Sequence, residues 1–572
     1  MRFFIWRART RQTTPPQDPP ESPPPTYLAR YLEHTIPTSL PGSSRRTFRV
    51  RVRNTGTAIW RRNPPDNRFV GLAVFLNGEL ATTGRSSREE VAPGEETVIC
   101  FTLTLPPESG AHEVRCDMVA HTITMFSDAG TTPLVVRLET TAREQTASER
   151  LMEEAERSNF WFFTPGLGVH LSHGEAVYPL FAAKANGCHI TDLEGREYVD
   201  YVMGWGCALL GYGHPAIQQA LSEAVHEPGI LTLTHPLEIE VSRLLCEMIP
   251  SAEMALFGKN GSDVCTAAVR MARAFTNRKK ILLCGYHGWH DWFAEQYGFT
   301  GSGVPEHPER LVHRFAFNDL GNLRALLDAH GGSVAAVMLE PSGPVEGIQG
   351  PLDDADPDFL QQAGALARSH GALLIFDEIM TGFRYPEGSV QKALGVTPDL
   401  TCLGKALSAG MPLSAVVGRR EIFTQTLHRI AYTPTFKGEV YSFAAARAAL
   451  RLYRETDVPG HICGYGQRLK EGVTALCGAH GVPARMIGPP FRMTIAFGER
   501  HPERQTLMRT LMQQELTRQG VLTFKGFMLP SLAHDDTALA KTLQAFDAAL
   551  GVLTDSLADD SLLRRVEIPD VC

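Results

Sequence analysis

Apolar and polar residues alternate with period two through much of the first quarter of the chain. In RRTFRVRVRNTG, Phe48, Val50 and Val52 alternate with Arg49, Arg51 and Arg53, which predicts a half-buried strand closed by an Asn-Thr-Gly turn. TVICFTLTLPP repeats the pattern with Ile99, Phe101, Leu103 and Leu105 on one face. Residues 71–77, 112–119 and 134–138 make further short runs, each bounded by Gly, Pro, Asn or Asp. The arginines are expected on the solvent face.

Near residue 143 the texture changes. TAREQTASERLMEEAERSNFWFF is charged and helix-prone, with no strand alternation. Beyond it, continuous apolar runs alternate with amphipathic helical patterns. The runs are KILLC (280–284), VAAVMLEP (334–341), ALLIFDE (372–378), DLTCL (399–403) and SAVVG (414–418). Such runs predict a mainly parallel sheet covered on both faces. From about residue 437 the pattern is helical with short strands. The expected division is therefore a Pro-rich tail (1–25), an all-β sandwich domain of immunoglobulin-like type (26–143), a large α/β domain (144–436) and a small C-terminal domain (437–572).

Composition narrows the classes without changing that picture. The 572 residues are 43% hydrophobic and 21% charged with net charge −8, so nucleic acid is not the expected partner. No apolar run approaches the roughly 18 residues of a membrane span. MRFFIWRARTRQ lacks the sustained apolar stretch of a secretory signal. Eleven cysteines lie scattered without metal-ligand spacing, which fits reduced thiols, no bound metal and a cytoplasmic protein. Residues 1–62 hold twelve Arg and three acidic residues, so the N-terminal module either binds a partner protein or glycan or simply carries solvated arginines.

Open α/β sheets place ligands at the carboxyl ends of their strands, which directs attention to five groups. Asp377 ends the run ALLIFDE. Lys405 follows another apolar run and a glycine in PDLTCLGKALSAGMP, a poor place for a lysine unless it is paired or chemically used. An amine there and an acid on the preceding strand are what pyridoxal 5′-phosphate (PLP) needs, one for its aldehyde and one for its ring nitrogen. Gly261-Ser262-Asp263 opens a helix, with Ser262 in the N-cap position; capping and phosphate binding both explain it. Tyr286-His287-Gly288 follows KILLC, where an aromatic ring either stacks on a planar ligand or fills the core. Thr435 in YTPTFKGEVYSFAAA suits either phosphate contact or a plain helix start.

Taken in order, these stretches resemble one family. ITDLEGREYVDYVMGWGCALLGYGHPAI, GKNGSDVCTAAVRMARA, GYHGWHD, LLIFDEIMTGFR, GVTPDLTCLGKALSAGMP and TFKGEVYSFAAARA are similar to the class III aminotransferases of PLP fold type I, over roughly two thirds of the chain. Asn54, Gly56 and Trp60, followed by V-x-P-G-E, resemble small sandwich modules appended to other enzymes. The family resemblance implies that Lys405 forms the Schiff base with PLP, which alternates with pyridoxamine phosphate, and that Asp377 binds the ring nitrogen. It implies that Gly261 and Ser262 hold the phosphate, that Tyr286 with His287 lies against the ring, and that Thr435 reaches the phosphate of a neighbouring subunit in a homodimer. Within the family the chain is most similar to glutamate-1-semialdehyde 2,1-aminomutases, with three departures. TPGLGVHLSHGEAVYP stands where an N-S-P-V-R stretch supplies an arginine, GSD replaces GTE, and Val345 occupies the position of a side chain that contacts the cofactor hydroxyl. These departures favour amino transfer from a separate donor to a carbonyl acceptor. Intramolecular amine exchange and a non-catalytic binding protein on the same frame are the alternatives.

Overall fold

The computed structural model describes residues 25–42, 45–62, 69–106, 108–121, 123–158, 177, 181–294, 303–304, 309–342, 356–524 and 526–567. Most of the Pro-rich tail, the TPGLGVHLSHGEAVYP stretch apart from Val177, and Val345 lie outside them. The chain forms two compact units, residues 1–44 with 48–142 and residues 45–47 with 143–572.

The N-terminal unit is all β. Its strands follow the order Ala29–His34, Arg45–Asn54, Glu96–Thr104, Glu79–Ser86, Val70–Leu76, Gly110–Ala120, Leu134–Thr141 and Ser39–Pro41. Ile99, Phe101, Leu103 and Leu105 are each at most 3% exposed and share a core with Phe48, Val50, Val52 and Trp60, as the alternation predicts. Arg49 departs from it. The residue is completely buried, whereas alternation places it in solvent with Arg53. A fully buried arginine has to be matched by partners, so its neighbours rather than the period set its position.

The second unit is built on a seven-stranded sheet ordered Met254–Gly258, Ser414–Gly418, Leu400–Leu403, Leu373–Asp377, Val334–Leu339, Lys280–Cys284 and Val312–Arg314. The five strands from Leu400–Leu403 to Val312–Arg314 run parallel, and Ser414–Gly418 is antiparallel to both its neighbours. Successive residues of each strand feed opposite cores. Leu374, Phe376, Leu403 and Val417 join one cluster, with the helices Pro236–Met248, Pro357–Ser369 and Val440–Glu455. Leu373, Ile375, Cys402 and Val416 join the other, against the helix Gly261–Thr276. Covering both faces is why these strands read as unbroken apolar runs. The charged stretch after residue 143 forms the helix Ala147–Ser158.

Candidate active site

Asp377 is the last residue of its strand and pairs in register with Cys402 of the next. Three residues beyond Cys402, Lys405 opens a short 3₁₀ turn with φ +43°, a left-handed conformation that a side-chain-bearing residue adopts only under constraint. Its Nζ donates to the carbonyl of Trp205 at 2.8 Å. That turn is itself left-handed, with φ +48° at Met203 and +60° at Trp205. The next carbonyl, of Gly206, accepts from Nη2 of the fully buried Arg384, and Phe383 beside it has φ +66°. Four such residues, two of them joined by the Lys405–Trp205 bond, mark backbone that the rest of the fold holds in strain. Burial pushes the Lys405 amine below the usual lysine range, and the positive charges of Arg384 and Arg492 push it the same way.

The Asp377 carboxylate is 3% exposed, and both its oxygens accept hydrogen bonds. Oδ2 accepts from His287 Nδ1 at 2.8 Å and from Cys265 Sγ at 3.5 Å, while Oδ1 accepts the Ile379 N–H at 3.0 Å. The pairing assigns the His287 proton to Nδ1. His287 is 1% exposed, and among the described residues its Nε2 has no partner. Tyr286, by contrast, is 44% exposed, with its ring edge-on to Phe293 and its N–H donated to Glu340 Oε1 at 2.8 Å.

The turn holding these residues is pressed onto the start of the helix Gly261–Thr276. A Cβ at Gly288 would lie 2.4 Å from Ser262 Oγ, and Ser262 Oγ accepts the Trp289 N–H at 3.2 Å. Ser262 is therefore not the N-cap that its position in the sequence suggests. Asn260 caps the helix through a reciprocal box, its side chain accepting from Asp263 N–H while the Asp263 carboxylate accepts from Asn260 N–H, both at 3.1 Å. Because Asn260 takes the cap, the Ser262 hydroxyl is left to hold the Tyr286–Trp289 turn. The N–H groups of that first helical turn still suit an anion.

Thr435 stays apart. It is exposed in the short turn Thr435–Gly438, and among the described residues no hydrogen bond ties it to Lys405 or Asp377. Three buried groups escape the sequence argument. Glu340 and Glu378 follow the strands Val334–Leu339 and Leu373–Asp377, the same strand-end signal that picks out Asp377. Burial pushes Glu378 up to about 7. Arg492, 2% exposed and 3.5 Å from Glu340, follows no apolar run and carries no local signal.

A lysine of lowered basicity, a buried carboxylate on the neighbouring strand, a helix start and an exposed aromatic ring form the donor set that an aldehyde-bearing pyridine phosphate requires.

Comparison with known proteins agrees. The aminotransferase class-III family model matches residues 170–550. The chain is 35% identical over 428 residues to a glutamate-1-semialdehyde 2,1-aminomutase of Syntrophobacter fumaroxidans, covering 70% of this chain and 96% of that protein. It is 31% identical over 380 residues to a 3-aminobutyryl-CoA aminotransferase of Cloacimonas acidaminovorans, covering 65% and 89%. Among solved structures, the FumI protein of Sphingopyxis sp. MTA144 in its PLP internal aldimine form superposes with TM-score 0.66 at 28% identity, covering 72% of this chain and 98% of that one. An omega-transaminase from Sphaerobacter thermophilus gives TM-score 0.64 at 26% identity, with the same two coverages. Sheet, turns and likeness together place this chain in the class III aminotransferases, PLP-dependent enzymes of fold type I.

Proposed function

We propose that the protein is a transaminase that moves an amino group from a separate donor to a carbonyl-bearing acceptor, in two half-reactions of a ping-pong cycle. The observation that carries the reading is the pairing of Lys405 and Asp377 at the carboxyl ends of adjacent strands. Lys405 Nζ would hold the cofactor aldehyde, and as a free amine it would take the proton from the amine-bearing carbon of the donor. Burial and the nearby positive charges push its basicity below the usual lysine range, which favours the free amine in that step. Asp377 keeps the ring nitrogen protonated, and His287 fixes the carboxylate in place. The cofactor supplies the electron sink for the bond that breaks. Gly261 and Ser262 hold its phosphate, and Tyr286 covers the ring. The exposed Thr435 reaches the phosphate bound by a second copy, so the enzyme is a homodimer working in the cytoplasm. The N-terminal unit is an immunoglobulin-like docking module. Unchanged turnover with an altered oligomer or location after removal of residues 1–143 would support that role.

The test is a Lys405→Ala variant, which should lose the cofactor's visible absorbance and all turnover; retained turnover would refute the assignment. The second reading, intramolecular amine exchange, draws on the 35% identity to an aminomutase. An aminomutase charged once with amine needs no further donor, whereas a transaminase stalls after one half-reaction.

A further inference from the structure

Among the described residues, two side chains from different elements donate to Asp377 Oδ2. His287 comes from the Tyr286–Trp289 turn, and Cys265 comes from the second turn of the helix Gly261–Thr276. Cys265 is completely buried, and its Sγ lies 3.5 Å from that oxygen. A thiol is a weak donor, and a carboxylate oxygen is the strongest kind of acceptor it can meet. Burial first, then the adjoining Cys402 thiol and the Asp377 charge, push the Cys265 thiol well above its ordinary range, so the sulfur keeps its hydrogen at neutral pH. Cys402 does not compete for Oδ2, since its own Sγ donates to the Val264 carbonyl at 3.7 Å.

The place of Cys265 on its helix gives this bond a consequence. Ser262 and Cys265 are three residues apart and so share one helix face. From that face Ser262 Oγ accepts the Trp289 N–H, while Cys265 reaches the strand-end acid. Cys402, packed against Cys265, pairs in register with Asp377. The element that presents the phosphate-suited N–H groups is thus tied directly to the carboxylate suited to a ring nitrogen. Cys265 also belongs to the apolar cluster under this helix, yet its neighbours Val264 and Ala268 offer only carbon there. A small core side chain would fill the same space without placing a hydrogen on Oδ2.

We propose that Cys265 is a positioning residue for amino transfer: its S–H bond to Oδ2 fixes the Asp377 carboxylate to the phosphate-suited helix and weakens that oxygen's claim on the proton of the ring nitrogen. The inference rests on the role given to Asp377 above. A hydrogen bond to a carboxylate favours its charged form, so each donor on Oδ2 helps to leave the proton with the ring.

The experiment reads the S–H stretch of the full-length holoenzyme by infrared difference spectroscopy, beside steady-state rates. Subtracting Cys265→Ala from wild type isolates the Cys265 band, which should lie at lower frequency than that of a thiol without an acceptor. Asp377→Asn, which puts a weaker acceptor in the same place, should move the band up. That comparison needs no cysteine variant should Cys265→Ala fail to fold. Cys265→Ala should lower kcat about fivefold and change KM by less than about twofold, a smaller loss than for a nitrogen donor to the same oxygen. Cys265→Ser keeps a hydrogen for Oδ2 and should stay within about twofold of wild type. A band that Asp377→Asn leaves in place overturns the inference, even where that variant loses turnover as the reading of Asp377 requires. Wild-type kcat in Cys265→Ala overturns it as well. Equal losses in the serine and alanine variants do the same, because they assign the effect to the bulk of the sulfur and not to its hydrogen. Should Asp377→Asn itself turn over within about threefold of wild type, Asp377 leaves the mechanism and the inference falls with it.

Discussion

Replacing Gly288 by alanine tests whether the Tyr286–Trp289 turn is seated by direct packing on Ser262. The added Cβ would sit 2.4 Å from Ser262 Oγ, 2.8 Å from its Cβ and 2.9 Å from its Cα, so a rotamer change cannot relieve the contact. Gly288 also has φ +110°, where a side chain costs about 1–3 kcal/mol. Overpacking a closed contact adds about 1–3 kcal/mol. The turn relieves both by moving away from the helix, which breaks the Trp289 N–H bond to Ser262 and carries Tyr286 and His287 with it. A shift on the order of 1 Å in groups that hold a reacting ligand costs about 100-fold in rate. The expected result is a loss of about 2–6 kcal/mol in urea unfolding of the apoprotein and a fall of about 100-fold in kcat/KM. Gly481→Ala is the control, at φ +65° with nothing within 4 Å of its added Cβ, so it carries backbone strain without a clash. If Gly288→Ala loses no more stability than Gly481→Ala and binds PLP as tightly as wild type, the turn is not seated in this way.

Three further changes probe the same site. Glu378 keeps its proton up to about pH 7 in the folded chain, against 4.5 for an ordinary glutamate carboxyl, so folding stability falls as pH rises between those values and then levels. Glu378→Gln should therefore be the more stable protein at pH 8, by up to about 3 kcal/mol, with the gap closing near pH 4.5; a pH-independent difference in chemical denaturation would contradict this. His287→Phe removes the 2.8 Å bond to Asp377 while also removing an Nε2 that has no partner among the described residues, so it should change stability little and lower kcat roughly tenfold, as for a charge-assisted bond. Unchanged kcat would show that His287 does not position the carboxylate. Asp377→Asn keeps the shape but not the charge, and should lower kcat by about 100- to 1,000-fold with the protein still folded; steady-state rates within threefold of wild type would remove Asp377 from the mechanism.

The sheet and its strand-end residues could be read in advance because burial on both faces leaves an unmistakable run of apolar residues, and a charged residue after such a run stands out. Asp377, Lys405, Glu340 and Glu378 all carry that signal, although only the first two prompted attention. The partners of those residues were not readable. His287 meets Asp377 across 90 positions, and Arg492 meets Glu340 from the far end of the chain, contacts that no local period encodes. The left-handed backbone at Met203, Trp205, Phe383 and Lys405 was equally hidden, since such conformations are expected at glycine. At the helix start, Gly-Ser-Asp suggested a serine cap, and the residue just before the glycine, Asn260, proved the better acceptor.

The antiparallel strand Ser414–Gly418 sets an order of assembly. Among the described residues it is the sheet partner of Met254–Gly258, from Met254 opposite Gly418 to Gly258 opposite Ser414, and the Ser414 hydroxyl also donates to the Asn260 carbonyl. The helix start at Gly261 thus hangs on residues synthesised much later, after a delay on the order of ten seconds on the ribosome. Over that interval the apolar face of the helix Gly261–Thr276, with Val264, Ala268 and Met271, waits without its final cover. A nascent chain ending before Ser414 already contains Asp377, Lys405 and the Tyr286–Gly288 turn, yet lacks the strand that pairs with Met254–Gly258 and the hydroxyl that bonds the Asn260 carbonyl.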